Sequence, residues 1–360
     1  MSRMYRNPVF ALPNNYNNVV YNDNRLPNDI KIYSGISLIR RIRNPQDGKK
    51  QKNGNLILQS QLSEGGEGTV YDCNIQNKVC KIYHPERTTE FRADKLVKML
   101  TKKIKIRGVC WPEEILYNDK KNFVGYLMNK AKGYKLQTFM NQKEIEDKFP
   151  SCNRKDLVNL CISILEIVEQ LHKSNIIIGD INANNILVAN YNKVYFIDCD
   201  SFQIEDFPCP VGTVDFTPRE LQGKKYSEFL RTKEHDMFAI TILIFMILFL
   251  GKHPYSCKGG SSRAENIKNG NFPYKFRDRK GEDAPEGDWK FIWSNLPMKM
   301  KEIFEDCFAD NKKPSVRDLK TVLFSYRNNL EKGYNSNELL PTKNKRVPTE
   351  IAKKYKNFNK

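Results

Sequence analysis

Residues 176–188, IIIGDINANNILV, set one carboxylate, Asp180, and an amide five positions on, Asn185, between two aliphatic runs. Eighteen residues after Asp180, the run KVYFID ends in a second carboxylate, Asp198. The runs ending and beginning at the turn NYNK can pair as strands, and that pairing carries both acids to one rim. An acid placed there supplies a base for a hydroxyl. A carboxylate with an amide oxygen supplies two hard ligands of the kind Mg²⁺ accepts beside phosphate.

Upstream, LSEGGEGTVY (62–71) places Gly65, Gly66 and Gly68 in a turn between two predicted strands. Backbone without side chains lets N–H groups approach phosphate oxygens closely. A glycine-rich hairpin turn is common in itself, and it gains meaning from KVCKIY, where Lys81 sits inside an apolar strand. A lysine turned inward is costly unless it meets an anion. Glu90, near the start of the next predicted helix, is the expected internal partner, with Glu86 and Asp94 competing for the role.

The elements that must hold these groups are legible in the pattern. From Leu56, five β-type runs follow in about 75 residues (NLILQSQL, GTVYDCNI, KVCKIY, EEILYN, NFVGYLM), which reads as a small antiparallel sheet. TTEFRADKLVKMLTKK interrupts them, with Phe91, Leu96, Val97 and Leu100 expected on one helical face. After Gly133 the character becomes helical: 154–174 has aliphatic residues at helical spacing, and EHDMFAITILIFMILFL reads as a core helix. The expected class is α+β, a small β lobe joined near MNKAKG (128–133) to a larger helical lobe. The expected boundaries are an extension over 1–54, the β lobe over 55–131, the helical lobe over 132–335 and a basic tail over 336–360.

Composition narrows the setting. Apolar residues make up 39% of 360, enough for a real core. The longest apolar run, 237–250, is too short for the roughly 20 residues a membrane helix needs, and the first twenty residues carry no signal pattern. Nine scattered cysteines without a C-x-x-C pair point to free thiols in a reducing cytoplasm, and four scattered histidines predict no zinc site. The net charge of +18 favours anionic partners. From 341 to 360, seven basic residues face Glu350 alone, yet no nucleic-acid-binding motif accompanies that tail.

The ordered set of glycine turn, strand lysine, helix acid, Asp-x₄-Asn loop and strand-end Asp resembles the eukaryotic-type protein kinase family. The likeness runs over roughly 56–330. It continues in VGTVDFTPREL (211–221), HDMFAI around Asp236, and FADNKKPSVRDL with Lys313 where the family has Arg. The style GDIN…N with FTPREL is similar to bacterial protein kinases encoded beside phosphatase and von Willebrand-type modules. The resemblance implies a Ser/Thr-type, ATP- and Mg²⁺-dependent kinase acting on a protein substrate. Lys81 would hold the α- and β-phosphates with Glu90 paired to it, Asp180 would be the base, and Asn185 and Asp198 would bind the metal. Thr213 would hydrogen-bond Asp180, and Glu220 with Lys313 would form a structural ion pair. Asp236 would anchor the catalytic loop. Gly65, Gly66, Gly68 and Val70 would cover the nucleotide, with Met128 behind the adenine and the backbone of Asn129 and Ala131 against it.

Several positions depart from the family pattern. Ile178 and Gly179 replace the His and Arg before the catalytic Asp, so no anchor for an activation-loop phosphate is expected. Asn182 stands where Ser/Thr kinases carry Lys. DCD at 198–200 replaces Asp-Phe-Gly and adds Asp200 near the metal, and Glu67 fills the tip of the glycine turn. These departures keep a nucleotide-binding pseudokinase scaffold open as an alternative. The Gly-Asp-x₄-Asn loop is also similar to small-molecule phosphotransferases.

Overall fold

The alternation that begins at Leu56 becomes a β-barrel in the computed structural model, which describes residues 37–41, 55–102, 104–118, 122–259, 261–274, 276 and 283–344. Its strands are β1 (Ser37–Arg41), β2 (Asn55–Glu64), β3 (Gly68–Cys73), β4 (Lys78–Tyr83), β5 (Pro112–Tyr117) and β6 (Phe123–Asn129). They close in the order β1-β2-β3-β4-β6-β5. The five strands expected from the pattern are present. The sixth, β1, lies inside the stretch assigned to an extension: it pairs antiparallel with both β2 and β5 and covers two edges that would otherwise be open.

Period two sorts β4. Cys80 and Ile82 enter a core with Leu56, Leu58, Tyr71, Leu116, Val124 and Leu127, whereas Val79 and Tyr83 join the main core on the other side. Lys81 therefore faces outward from the barrel, toward helix α1 (Glu90–Thr101). That helix buries Lys95, Leu96, Met99 and Leu100, and Val97 is 43% exposed. The expected apolar face was thus rotated: the i, i+3, i+4 set Leu96, Met99 and Leu100 fixes the buried stripe, and Val97 lies off it.

The second lobe is built on α3 (Arg154–Lys173) and α4 (Lys233–Leu248), preceded by β7 (Tyr134–Lys135) and α2 (Gln142–Lys148). Between α3 and α4 run β8 (Ile176–Ile177), β9 (Ile186–Asn190), β10 (Lys193–Phe196) and β11 (Gln203–Ile204). Then follow α5 (Arg263–Asn269), α6 (Trp289–Asn295), α7 (Met298–Phe308) and α8 (Val316–Glu331). α3 starts on a capping box from Asn153 and Asp156. α4 is buried on nearly all sides, as its unbroken apolar run requires, with Phe245 stacked on Phe249 at 4.0 Å. The boundary expected at 336 falls inside packed chain. Asn337 accepts from the backbone of Lys155 at 2.9 Å, the fully buried Arg154 donates to the carbonyls of Leu248 and Leu339, and Asn295 reaches the carbonyl of Lys343 at 2.9 Å. The remainder of the basic tail, from 345, and most of the expected extension lie outside the described residues.

Candidate active site

A cleft of about 440 Å³ opens between the lobes, lined by the glycine turn with Val70, by Lys81, Met128, Asn129 and Ala131, and by Asn185 and Asp198. The expected nucleotide residues, Glu90 excepted, therefore share one cavity with the expected metal ligands. In the turn, Gly65 donates its N–H to the carbonyl of Gly68 at 3.0 Å. A Cβ on Gly68 would fall onto the carbonyl of Ile82 in the neighbouring strand, whereas at Gly66 it would meet nothing within 4 Å. Gly68 is needed for close strand approach, and Gly66 leaves its backbone open to the cleft.

The partner of Lys81 differs from expectation. Its ammonium contacts Asp198, lies 2.9 and 3.1 Å from the two oxygens of Asp200, and stands 3.6 Å from Glu67. Glu90 is exposed at the first turn of α1, and Glu86 is exposed before it. The reason lies in which side of α1 meets the cleft wall. That side presents cations, with Arg92 donating to both oxygens of Glu67 at 2.8 and 3.1 Å and standing 3.5 Å from Asp200. The polarity of the helix–strand contact is inverted: the acid comes from position 200, and the helix supplies the counter-charge.

Asp200 lies beside Asp198, as expected, but its oxygens are taken up by buried donors. It is 5% exposed and is not among the residues lining the cleft, accepting from Tyr83 at 2.7 Å and Tyr126 at 2.8 Å as well as from Lys81. Burial by itself would push its carboxyl up, but the charges of Lys81 and Arg92 and the donated hydrogen bonds override this and hold it well below the usual carboxylate range. Burial and the neighbouring Asp200 charge push Asp198 up, although Lys81 opposes them. Burial would lower Lys81, and Asp200, Asp198 and Glu67 reverse this so that it stays protonated.

Asp180 is held by hydrogen bonds to both of its carboxylate oxygens. Thr213 donates to one oxygen of Asp180 at 3.0 Å, and the amides of Asn182 and Asn185 both donate to the other at 3.2 Å. Asn182 thus spends its amide on Asp180 itself. The side chain of Asp236 accepts from the backbone of Ile178 and Gly179 at 2.8 Å each and contacts His172 at 3.0 Å, so the turn before Asp180 hangs on α4. Glu220 and Lys313 pair at 2.6 Å, with Asn311 adding a bond.

The sequence reading missed Arg92, Tyr83 and Tyr126 as members of this site and did not connect Glu67 to Lys81. An acid inside the glycine turn and a second acid two residues after Asp198 were the available signals. Nothing local tells that these acids and Lys81 meet.

Residues 57–320 match the protein kinase domain family. The chain belongs to that family. It is 30% identical over 295 residues to the protein kinase YegI of Escherichia coli strain K12, covering 76% of this chain and 45% of that protein. The YegI protein of strain O157:H7 gives 30% over 267 residues, 70% of this chain and 41% of that one. A calcium and calcium/calmodulin-dependent serine/threonine-protein kinase of Medicago truncatula, DMI-3, is 27% identical over 149 residues, 39% of this chain and 27% of its own. The chain spans less than half the length of these relatives. Membership carries the kinase class, ATP-binding transferases, and the two-lobed α+β architecture agrees with it. No described helix is long and apolar enough to cross a membrane.

Proposed function

We propose that the chain transfers the γ-phosphate of ATP, with Mg²⁺, to Ser or Thr hydroxyls of a protein. The observation that carries this reading is the placement of Asp180. It is oriented by Thr213 on one oxygen and by Asn185 on the other, and Asn185 lines the same cleft as Lys81 and Asp198. Asp180 takes the proton of the acceptor hydroxyl as its oxygen bonds to the γ-phosphorus, and ADP leaves. Lys81 holds the phosphates, the backbone of Gly65 and Gly66 covers them, and Met128, Asn129 and Ala131 take the base.

The donor set fits Mg²⁺. Carboxylate oxygens of Glu67, Asp198 and Asp200 lie within 4.8 Å of one another, and Asn185 donates through nitrogen to Asp180, leaving its amide oxygen for a cation. Asp198 and Asn185 are the residues that would hold it. When bound, the ion offsets negative charge on the phosphates.

Asn182 brings no cation to the transferring group, so turnover is expected to be slower by about 10²–10³ than with one. The same feature supports the second reading, a nucleotide-binding scaffold. A small-molecule phosphotransferase is disfavoured by the Thr213–Asp180 bond and the Glu220–Lys313 pair, which hold a segment suited to docking a peptide. Nine free thiols support a reducing, cytoplasmic setting, and the basic tail supports an anionic partner. Incubation with γ-labelled ATP and Mg²⁺ tests the proposal: labelled protein is expected from the wild type and none from Asp180→Ala or Asp198→Asn. Nucleotide binding without any transfer would favour the scaffold.

A further inference from the structure

Among the described residues, Lys95 and Arg231 are buried cations with no carboxylate in salt-bridge contact, and both grip the same segment by its backbone. Lys95, on α1, is 4% exposed and donates to the carbonyls of Ser201 at 3.0 Å and Pro208 at 3.3 Å. Arg231, just before α4, is 6% exposed and donates through Nη2 to the carbonyl of Val211 at 2.7 Å. Its guanidinium lies 4.4 Å from the ring centroid of Tyr226. Its main chain is bonded in both directions by the side chain of Gln203, at 2.7 and 2.8 Å, and Gln203 belongs to β11, which pairs with the strand entering the catalytic loop. Desolvating a cation without an opposing charge is costly, so each of these contacts must hold its carbonyls firmly to be tolerated.

Gly179 makes room for this arrangement. It adopts a positive φ of 76°, and a Cβ there would collide with Nη1 of Arg231 and with Cys209. The guanidinium occupies the space into which a side chain at 179 would grow.

The segment offers no free hydroxyl. Between Asp198 and Pro218 the sequence has three hydroxyl side chains, Ser201, Thr213 and Thr217. Ser201 is buried and donates to the carbonyl of Asp198 at 2.9 Å. Thr213 is committed to Asp180, and the buried Thr217 donates to the carbonyl of Thr213 at 2.9 Å. A phosphate on any of them would first have to break the packing it was meant to stabilise.

We propose that Lys95 and Arg231 are positioning residues that clamp the segment 198–217 through its carbonyls, so that the docking loop around Thr213 is assembled in the unmodified chain without a phosphate on the segment. The proposal deepens the phosphoryl-transfer reading and rests on it for its functional meaning. Burial pushes the ammonium of Lys95 down to about 8, against the smaller opposing pull of Cys209, Asp200 and Glu67.

The test uses the full chain and reads amide hydrogen exchange over 209–217 together with labelled transfer and nucleotide affinity. In wild type treated with a broad-specificity protein phosphatase, exchange in this stretch and transfer should both stay within twofold of the untreated protein. Lys95→Met and Arg231→Met should each raise exchange there at least tenfold and lower transfer about tenfold or more, with nucleotide affinity within twofold because neither side chain lines the cleft. Faster exchange in the phosphatase-treated wild type would overturn the proposal, since a phosphate would then be holding the segment. Unchanged exchange in both variants would also overturn it. If the variants do not fold, the phosphatase experiment on the wild type still decides. A protein that shows the expected exchange but transfers no phosphate at all keeps the clamp and loses the kinase reading instead.

Discussion

Replacing Asp200 by Asn keeps the shape and one acceptor oxygen but removes the charge that faces Lys81 and Arg92. The pair is dry: the side chains of Lys81 and Asp200 are 6% and 2% exposed, so solvent screening takes little from their interaction. Removing one partner of a buried, hydrogen-bonded pair leaves an uncompensated charge and costs about 3–5 kcal/mol. Asp198 and Glu67 remain beside Lys81 and soften the loss, which places the expectation at the lower end, about 3 kcal/mol. Against a total stability on the order of 5–15 kcal/mol the variant should still fold, with a clearly lower denaturation midpoint. Urea unfolding of wild type, Asp200→Asn, Lys81→Met and the double variant isolates the pair. The double variant should be less destabilised than the sum of the singles by about 1.5–3 kcal/mol, as expected for residues in direct contact. Additive losses, or an Asp200→Asn cost under about 0.5 kcal/mol, would show that Asp200 is not the partner that fixes Lys81, and the inverted polarity of α1 would lose its meaning.

Two further outcomes follow from local geometry and burial. Gly68→Ala should lower the melting temperature by several degrees because the new Cβ falls on the carbonyl of Ile82; Gly66→Ala, with open space around it, should leave melting unchanged and alter only nucleotide affinity. His253, 1% exposed, accepts the N–H of Tyr255 on Nδ1 and contacts the carbonyl of Asp215 through Nε2, and burial pushes its pKa from 6.5 down to about 4. Between those values the unfolded chain binds the proton and the folded one does not, so this histidine's contribution is fully present above pH 6.5 and is lost as the pH falls toward 4. By pH 5 the loss should reach about 2 kcal/mol. Urea midpoints between pH 7 and 5 should show a slope that His253→Gln lacks; equal slopes in both proteins would refute the assignment.

Much of this protein was written in local pattern. The alternation from Leu56 produced β2 to β6 and the uninterrupted apolar run produced the buried α4, because each depends on neighbours a few residues apart, and the order of Asp180, Asn185 and Asp198 singled out the candidate base and metal ligands. Val97 was misplaced and β1 was overlooked for a related reason: a short helix face and a five-residue strand carry too few residues for periodicity to settle which side is buried or whether pairing occurs.

Sequence determined which side chains are candidates for the proposed chemistry, since the residue types and their order along the chain suit phosphate, a divalent cation and a hydroxyl. Tertiary structure alone decided which acid meets Lys81 and which carbonyls Lys95 and Arg231 meet. Asp200 lies 119 residues from Lys81, and Lys95 lies 113 from the carbonyl of Pro208. At such separations no local preference selects a partner. The choice is made by which faces of α1 and β4 are buried together, and burial multiplies the cost of any charge left without a counterpart.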